Sequence, residues 1–406
     1  MHDPIPDRTL SFLSDPYHFI ARQCRLRGID TFETRLLLEK TVCLTGSEAA
    51  RMFYGESRLK REGAAPEPVQ ATLFGKGGLQ QLDGAAHHAR KVLFLTLLAP
   101  GNVARLARRV RRYWGDFDRW APRGYQLPLY ETAQHVLALS VCEWLGVPVR
   151  RGNLASLSAD LSALFNDAAG TGHLRARWAR KRLERWLTLL VRAEREASAA
   201  AQPAPSLFRS LVMFRALDST EPLEPRVAAV ELLNLMRPIV AVSVYIVWMA
   251  HALRCRPDIR ACMESGEPQL RKAFVEEVRR FYPFFPAVMA KVAEPFSWGG
   301  QDFEEGARVL LDLHGTKRDP RHWHEPDRFR PERFLNEQVD TFAFIPQGGG
   351  DVANGHRCPG EGATVALMLA SIDFLLGHLA TDEVEPDETE ISSARMPALP
   401  EVPIYI

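Results

Sequence analysis

Residues Phe342 to Glu361 read F-A-F-I-P-Q-G-G-G-D-V-A-N-G-H-R-C-P-G-E. Gly348, Gly349, Gly350 and Gly355 build a loop whose backbone can approach a flat partner closely, because no Cβ intervenes. The loop delivers Cys358, and Pro359 directly after it favours the first turn of a helix. The spacing predicts that helix from Gly360 to about Leu376, with Val365, Leu367, Met368, Ala370 and Phe374 on its apolar side. A cysteine so placed sees free backbone N–H groups and the positive end of a helix dipole, and both stabilise a thiolate. Outside such a context a lone cysteine is a small buried hydrophobe.

The H-R-C-P-G-E string resembles the cysteine loop of the cytochrome P450 superfamily. The P-Q-G-G-G run before it resembles one branch, the bacterial fatty-acid peroxygenases. The resemblance implies a mainly α P450 fold with a small β-rich region, and haem b ligated by Cys358. An axial thiolate pushes electron density toward O–O cleavage. The loop departs from the wider superfamily pattern, which has Phe seven residues before the cysteine and Arg two before. Here those positions are Asp351 and His356, with Arg357 adjacent to Cys358.

Upstream, Phe274 to Pro283 reads F-V-E-E-V-R-R-F-Y-P, and Asp319 to Phe334 reads D-P-R-H-W-H-E-P-D-R-F-R-P-E-R-F. Glu277 and Arg280 lie on one helix face, where an ion pair can form. The two strings resemble the Glu-x-x-Arg helix and the meander of P450s, which implies that Glu277, Arg280 and Arg333 tie the core together.

The long apolar run from Leu232 to Leu253 contains N-L-M-R-P-I-V-A-V-S. P450 monooxygenases carry an acid–alcohol pair here; this chain has Arg237 and Pro238 instead. Proline inside a helix frees the carbonyl of Asn234 and kinks the axis. A guanidinium on an apolar wall needs an anion. By the residues alone that anion is either an internal Asp or Glu or a substrate carboxylate held by the planar fork. Arg-Pro at this point resembles the fatty-acid peroxygenases, which implies the second. There the carboxylate held by Arg237 serves as the missing acid–base for peroxide cleavage, and only Cα and Cβ come near the iron. No redox partner is then required. The alternatives are decarboxylation to terminal alkenes and a redox-partner-dependent P450 monooxygenase; a non-catalytic haem or fatty-acid sensor is a rival of another class.

Leu73 to Phe94, L-F-G-K-G-G-L-Q-Q-L-D-G-A-A-H-H-A-R-K-V-L-F, is similar to a string of the same branch. The resemblance implies that Phe74 and Gln80 line the pocket and that His87 and Lys91 meet a haem propionate. Some relatives carry His where this chain has Gln80, and those resemble decarboxylases more than hydroxylases. Arg61 is a further propionate candidate, against a solvated surface cluster. Phe284 and Phe285 shape an acyl channel in this reading or are plain core.

The chain has 406 residues, 46% of them hydrophobic, and a formal charge of +1, which argues against nucleic acid as a partner. Six cysteines show no close pairing or metal-ligand spacing, as in a reduced cytoplasmic protein. Met1 to Asp15 has no apolar core, so no signal peptide is expected. Arg237 and Pro238 inside the apolar run favour a buried helix over a transmembrane one. Residues 1–406 are expected to form a single domain, helix-heavy with a minor sheet. Expected elements include a first helix from Leu10 to Arg27, a hairpin in Glu33–Thr45, and a Ser47-capped helix to Tyr54. Two β-like segments follow at Val292–Trp298 and Val309–Leu313, with one more at Val402–Ile406; Ala199–Ser206 reads as a loop. The clusters Arg108, Arg109, Arg111, Arg112 and Arg175, Arg177, Arg180, Lys181, Arg182 read as solvated helix faces.

Overall fold

The hairpin is present as β1 (Thr31–Leu36) and β2 (Glu39–Leu44), paired antiparallel from Thr31 opposite Leu44 to Leu36 opposite Glu39. Its tip is Leu37–Leu38, both in the left-handed region with φ of 55° and 64°. Asparagine and glycine usually fill such a turn. Here the side chains of Thr9 and Asp7 accept from the N–H groups of Leu37 (2.6 Å) and Leu38 (2.7 Å) and hold the conformation. In the computed structural model, residues 6–121, 125–168, 171–200, 206–216, 219–336, 338–380 and 395–406 are described. The expected loop at 199–206 therefore falls mostly outside the described residues.

The chain forms two compact units. The first comprises Met1–Ala65, Lys272–Cys358 and Ile391–Leu399, and the second Pro66–Arg271, Pro359–Glu390 and Pro400–Ile406. The first holds the strands: β3 (Leu59–Lys60), β4 (Ala287–Val292), β5 (Phe296–Trp298), β6 (Gln301–Phe303) and β7 (Arg308–Asp312) join β1 and β2. The five-stranded sheet runs β1-β2-β7-β4-β3, with β2 and β7 parallel and the other neighbours antiparallel; β5 and β6 pair separately. Alternation sorts its side chains. Val42, Leu44, Val309 and Leu311 join Ala50, Phe53 and Ile345 on one face. Cys43 and Leu310 join Phe19, Ile20 and Phe32 on the other. β7 is buried along its whole length, so its run of Val and Leu shows no alternation in sequence.

The second unit is helical. Its long members are Gly84–Leu97, Pro100–Gly115, Leu129–Leu145, Leu154–Asn166, His173–Ala200, Pro225–Ala241, Ser243–Cys255 and Glu361–His378. Trp114 stacks on Phe374 at 4.1 Å and donates through Nε1 to Ser371 at 3.0 Å, fixing Glu361–His378 on Pro100–Gly115. The Pro225–Cys255 stretch is long and apolar enough to cross a membrane, yet 89% of its most apolar window is buried inside the protein. This is the behaviour of a core helix.

Six expectations need correction. Arg180 is 3% exposed and not part of a solvated helix face, and Val292–Trp298 is the end of β4 and the whole of β5 rather than one strand. The first helix is two, Thr9–Ser14 and Phe19–Arg27, because Asp15 and Pro16 interrupt it. Gly46, not Ser47, occupies the N-cap of Ser47–Gly55, and Ser47 Oγ bonds His322 Nε2 at 2.6 Å instead. The Val402–Ile406 segment forms only an isolated bridge from Tyr405 to Pro128. The kink at Pro238 is displaced: the helix runs through to Ala241, breaks at Val242 with a tight bond to Ile239 O (3.2 Å), and resumes at Ser243.

Candidate active site

The cysteine loop is built by close backbone approach. A Cβ on Gly348, whose φ is +99°, would lie 3.2 Å from Arg357 Cα and 3.0 Å from Tyr54 Oη. On Gly349 it would lie 2.9 Å from Ile345 Cγ2, so only glycine keeps these arms together. Cys358 donates its N–H to Gln347 O at 3.0 Å, while Gln347 Oε1 accepts from Arg279 Nη2 at 3.0 Å. Tyr54, which accepts from Gly349 N–H and whose phenol burial pushes up, closes the loop from the other side. Arg279, Gln347 and Tyr54 were not singled out from the sequence. Only the Glu276–Arg279 spacing hinted at one of them, and that pair does form.

The departure at Asp351 has a local explanation. Asp351 is exposed, and its carboxylate accepts from Ala353 N–H (2.8 Å) and Asn354 Nδ2 (2.6 Å). Gly355 N–H returns to Asp351 O at 3.0 Å. The segment is an aspartate-organised turn. Arg357 is half-buried, with Nη1 3.4 Å from Gly350 O.

Cys358 is half-buried. Burial pushes the thiols of Cys24 and Cys142 up to about 12, and raises that of Cys43 as well. Those are inert core residues. In the same unit as Cys358, Glu277, fully buried, accepts from Arg280 Nε (2.7 Å) and Nη2 (2.8 Å), and Arg333 Nε lies 3.3 Å from Glu277 Oε2. The expected triad is assembled. Arg61 stacks 4.2 Å over the Phe53 ring, Phe284 is buried and Phe285 half-buried, and the two Phe rings meet at 4.6 Å.

The other candidates lie in the helical unit. Arg237 is 5% exposed on Pro225–Ala241, among Leu233, Met236 and Val240, and Pro238 is half-buried. The one carboxylate inside that helix, Glu231, is fully buried and already held: it meets Arg90 Nη1 and accepts from Asn234 Nδ2 (3.1 Å) and Leu79 N–H. Burial pushes the Glu231 carboxyl up, and Arg90 opposes that shift. Sequence reasoning missed both residues.

The Leu79 bond pins the turn that carries Gln80 (Leu79–Gln81) to the arginine helix. Gly78 permits this approach, since a Cβ there would lie 2.5 Å from Asn234 Nδ2. Gln80 is half-buried, and among the described residues its Oε1 has no hydrogen-bond donor. Phe74 ends a π-type turn, Gln70–Phe74, whose end is clamped by Arg180: Nη2 donates to Phe74 O at 3.2 Å while Nε bonds Glu184 at 2.6 Å. The structure thus brings Phe74 and Gln80 to the two ends of one loop, one end tied by the buried Arg90–Glu231 pair and the other by buried Arg180 with half-buried Glu184. His87 and Lys91, 5% and 1% exposed, stand one turn apart on Gly84–Leu97.

Comparison with known proteins supplies the family. The cytochrome P450 family pattern matches residues 268–394. Tabersonine 16-hydroxylase 2 of Catharanthus roseus is 32% identical over 133 residues, which span 30% of this chain and 25% of that protein. The chain thus matches about a quarter of the length of such curated relatives. Solved structures match throughout. A single-residue variant of cytochrome P450SP alpha (CYP152B1) is 41% identical, with 98% of each chain covered and a TM-score of 0.92. Cytochrome P450EX alpha (CYP152N1), solved with myristic acid, is 39% identical over 99% of this chain and 98% of its own, with a TM-score of 0.91. A variant of cytochrome P450 OleT, solved with arachidonic acid, is 28% identical over 98% and 95%, with a TM-score of 0.91. By this likeness along its whole length, and by the cysteine loop and Glu277–Arg280–Arg333 triad that it assembles, the chain belongs to the cytochrome P450 family, in its fatty-acid peroxygenase branch.

Proposed function

We propose that this chain uses hydrogen peroxide to hydroxylate long-chain fatty acids at the α or β carbon, with Arg237 holding the substrate carboxylate. The observation that carries the reading is the Arg237–Pro238 pair itself, a guanidinium buried in an apolar helix beside an internal proline. The relatives solved with myristic and arachidonic acid support the substrate class.

The residues fit haem b. The glycine arms close tightly on Tyr54, Ile345 and Arg357, and the thiol that the loop presents is the one half-buried cysteine of the six. Cys358 would hold the haem iron through its thiolate, and His87, Lys91, Arg61 and Arg357 would supply the positive charge that its propionates need. When bound, the haem supplies the iron at which peroxide is activated. The planar fork of Arg237 would fix the carboxylate in one orientation and so present Cα and Cβ ahead of the rest of the acyl chain. The held carboxylate takes the proton of the peroxide and returns it, the role for which this helix has no acid–alcohol pair of its own. Pro238 removes an N–H from the wall beside it. Phe74, Phe284 and Phe285 supply apolar contact for the acyl chain, and Gln80 offers an amide oxygen next to it. Such a cycle needs no redox partner, and reduced thiols suit a cytoplasmic setting.

The test is to feed the purified haem-loaded protein a long-chain fatty acid and hydrogen peroxide without reductase. α- or β-hydroxy acids are the expected products. Turnover only with a reductase and reduced nicotinamide would replace this reading by a redox-partner-dependent monooxygenase.

A further inference from the structure

The His173–Ala200 helix carries a face that the proposed chemistry leaves unused. Leu174, Trp178 and Leu189 are 70%, 65% and 64% exposed. They share one stripe with exposed Lys181, Arg185 and Arg192, at spacings of three and four residues. Single exposed apolar side chains are ordinary, but three of them interleaved with cations on one stripe are not. Lys181 Nζ lies 5.7 Å from the Trp178 ring, so the aromatic and the charge are presented together. The opposite face, with Ala176, Ala179, Leu183, Leu187 and Val191, is buried and holds the helix in place.

A cavity of about 220 Å³ opens beside the stripe. Its cationic lining is Lys76, Arg177, Arg180, Lys181 and Arg226, against only Glu67 and Glu184. Five positive groups and two negative ones leave a formal charge of +3 in a chain whose total is +1. Both carboxylates are already engaged: Glu184 by Arg180 (2.6 Å) and Arg226 (4.0 Å), Glu67 by Arg177 (3.8 Å). Among the described residues Lys76 and Lys181 make no ion pair. They remain available to an anion.

We infer that this face docks on an anionic lipid bilayer, with a lipid phosphate between Lys76 and Lys181 and with Trp178 and Leu174 in the interfacial layer. Cations flanking exposed tryptophan and leucine on a fixed helix suit a surface that is charged outside and apolar beneath. A nucleic acid would use the cations but not the leucines. The helix lies on the surface and does not insert, because its other face is already packed. This inference goes beyond the proposed hydroxylation and stands whether or not that reaction is the right one.

The test is co-sedimentation of the full-length, haem-loaded protein with vesicles of phosphatidylcholine alone or mixed with phosphatidylglycerol. Binding is expected only to the anionic vesicles and is weakened by salt. The double variant Lys181→Glu/Arg185→Glu should bind about tenfold less or weaker still, and Trp178→Ala should also lose binding. A charge-matched control, Arg108→Glu/Arg111→Glu on Pro100–Gly115, should bind as the native protein does. Circular dichroism confirms that each variant is folded. Absence of binding to anionic vesicles overturns the inference, as does equal loss in the control, which would mean general charge attraction. Tight calorimetric binding of inorganic phosphate without vesicle association would overturn it in favour of a soluble phosphate ligand.

Discussion

Arg90 and Glu231 form an ion pair inside the helical unit, their side chains 10% and 0% exposed. Glu231 reaches three elements at once: Arg90 on Gly84–Leu97, Asn234 on its own helix and the Leu79 N–H of the Gln80 turn. Removing one partner of a buried pair leaves an uncompensated charge, whereas replacing both by apolar residues is often neutral. Glu231→Ala should therefore destabilise the protein by about 3–5 kcal/mol, read from urea unfolding. Arg90→Met/Glu231→Leu should recover most of that stability. It should still bind fatty acid more weakly and shift the α:β product ratio, since the Leu79 N–H has lost its acceptor and the Gln80 turn its anchor. Native product ratios in the double variant would make the pair purely structural.

Cys358→Ser should abolish the strongly red-shifted Soret band that reduced thiolate-ligated haem shows under carbon monoxide. The Cys358 N–H bond to Gln347 O is a backbone bond and survives the substitution, so the loop should stay folded. Near-native circular dichroism with the band gone is the expected pair of results. Persistence of the band would remove Cys358 as the ligand.

The parts legible in the sequence were those written at short, fixed spacing. The glycines and Cys358 sit within one 348–358 run, and Glu277–Arg280 is one helical turn, so their chemistry could be read locally. The family resemblance then supplied Arg333. What was not legible depends on contacts between distant residues. Arg90 and Glu231 are 141 residues apart, and a lone Glu in V-E-L-L reads as an interruption of an apolar helix. The Leu37–Leu38 turn lacks the Asn and Gly that mark such hairpins, because Asp7 and Thr9, 31 and 28 residues away, hold the strained backbone instead. The start of β4 was missed because Ala287–Ala290 is apolar on both faces, Val288 and Ala290 toward one core cluster and Ala287 and Met289 toward the other, so it shows no alternation.

Arg237→Ala should lower peroxide-driven turnover of fatty acids at least about a hundredfold with haem content intact, because orientation and the acid–base leave together. Arg237→Lys keeps the charge but not the planar fork and should recover only a small part. Fatty-acid methyl esters should be poor substrates of the native protein for the same reason. Rapid ester turnover, measured by product chromatography, would detach Arg237 from the carboxylate.

Asp312 gives a pH dependence with a definite sign. It is 2% exposed, and burial pushes its carboxyl up to about 7 despite donation from Gly315 and Ala21 N–H groups and Thr45 Oγ1. With the folded value above the unfolded one, the folded state keeps a proton that the unfolded state has released between about pH 4 and pH 7. Stability from this group is present at the acid end of that window and is lost as pH rises through it. Relative to Asp312→Asn, the native protein should therefore lose on the order of 2–3 kcal/mol between pH 5 and pH 7, by urea unfolding at each pH. A constant difference would mean that Asp312 is ionised throughout.

The last prediction concerns product choice and rests on Gln80. Once hydrogen has been taken from Cβ, the substrate radical either takes up a hydroxyl group and becomes the hydroxy acid, or gives one electron to the oxidant that took the hydrogen and expels carbon dioxide to leave a terminal alkene. The second route requires the carboxylate to be released from Arg237 as carbon dioxide, so whatever holds that carboxylate favours the first. Gln80 is carried on a turn tied through Leu79 to Glu231, on the same helix as Arg237, and its Oε1 is buried without a donor among the described residues. An amide there can accept a hydrogen bond but cannot exchange a proton near neutral pH; an imidazole can do both. Native protein should therefore give mainly hydroxy acid, and Gln80→His should raise the alkene share several-fold with haem content unchanged. Gas chromatography of both product sets decides it. Mostly alkene from the native protein would overturn the hydroxylase reading. Hydroxy acid from the native protein with no rise in alkene from Gln80→His would leave that reading standing and remove Gln80 as the residue that sets the outcome.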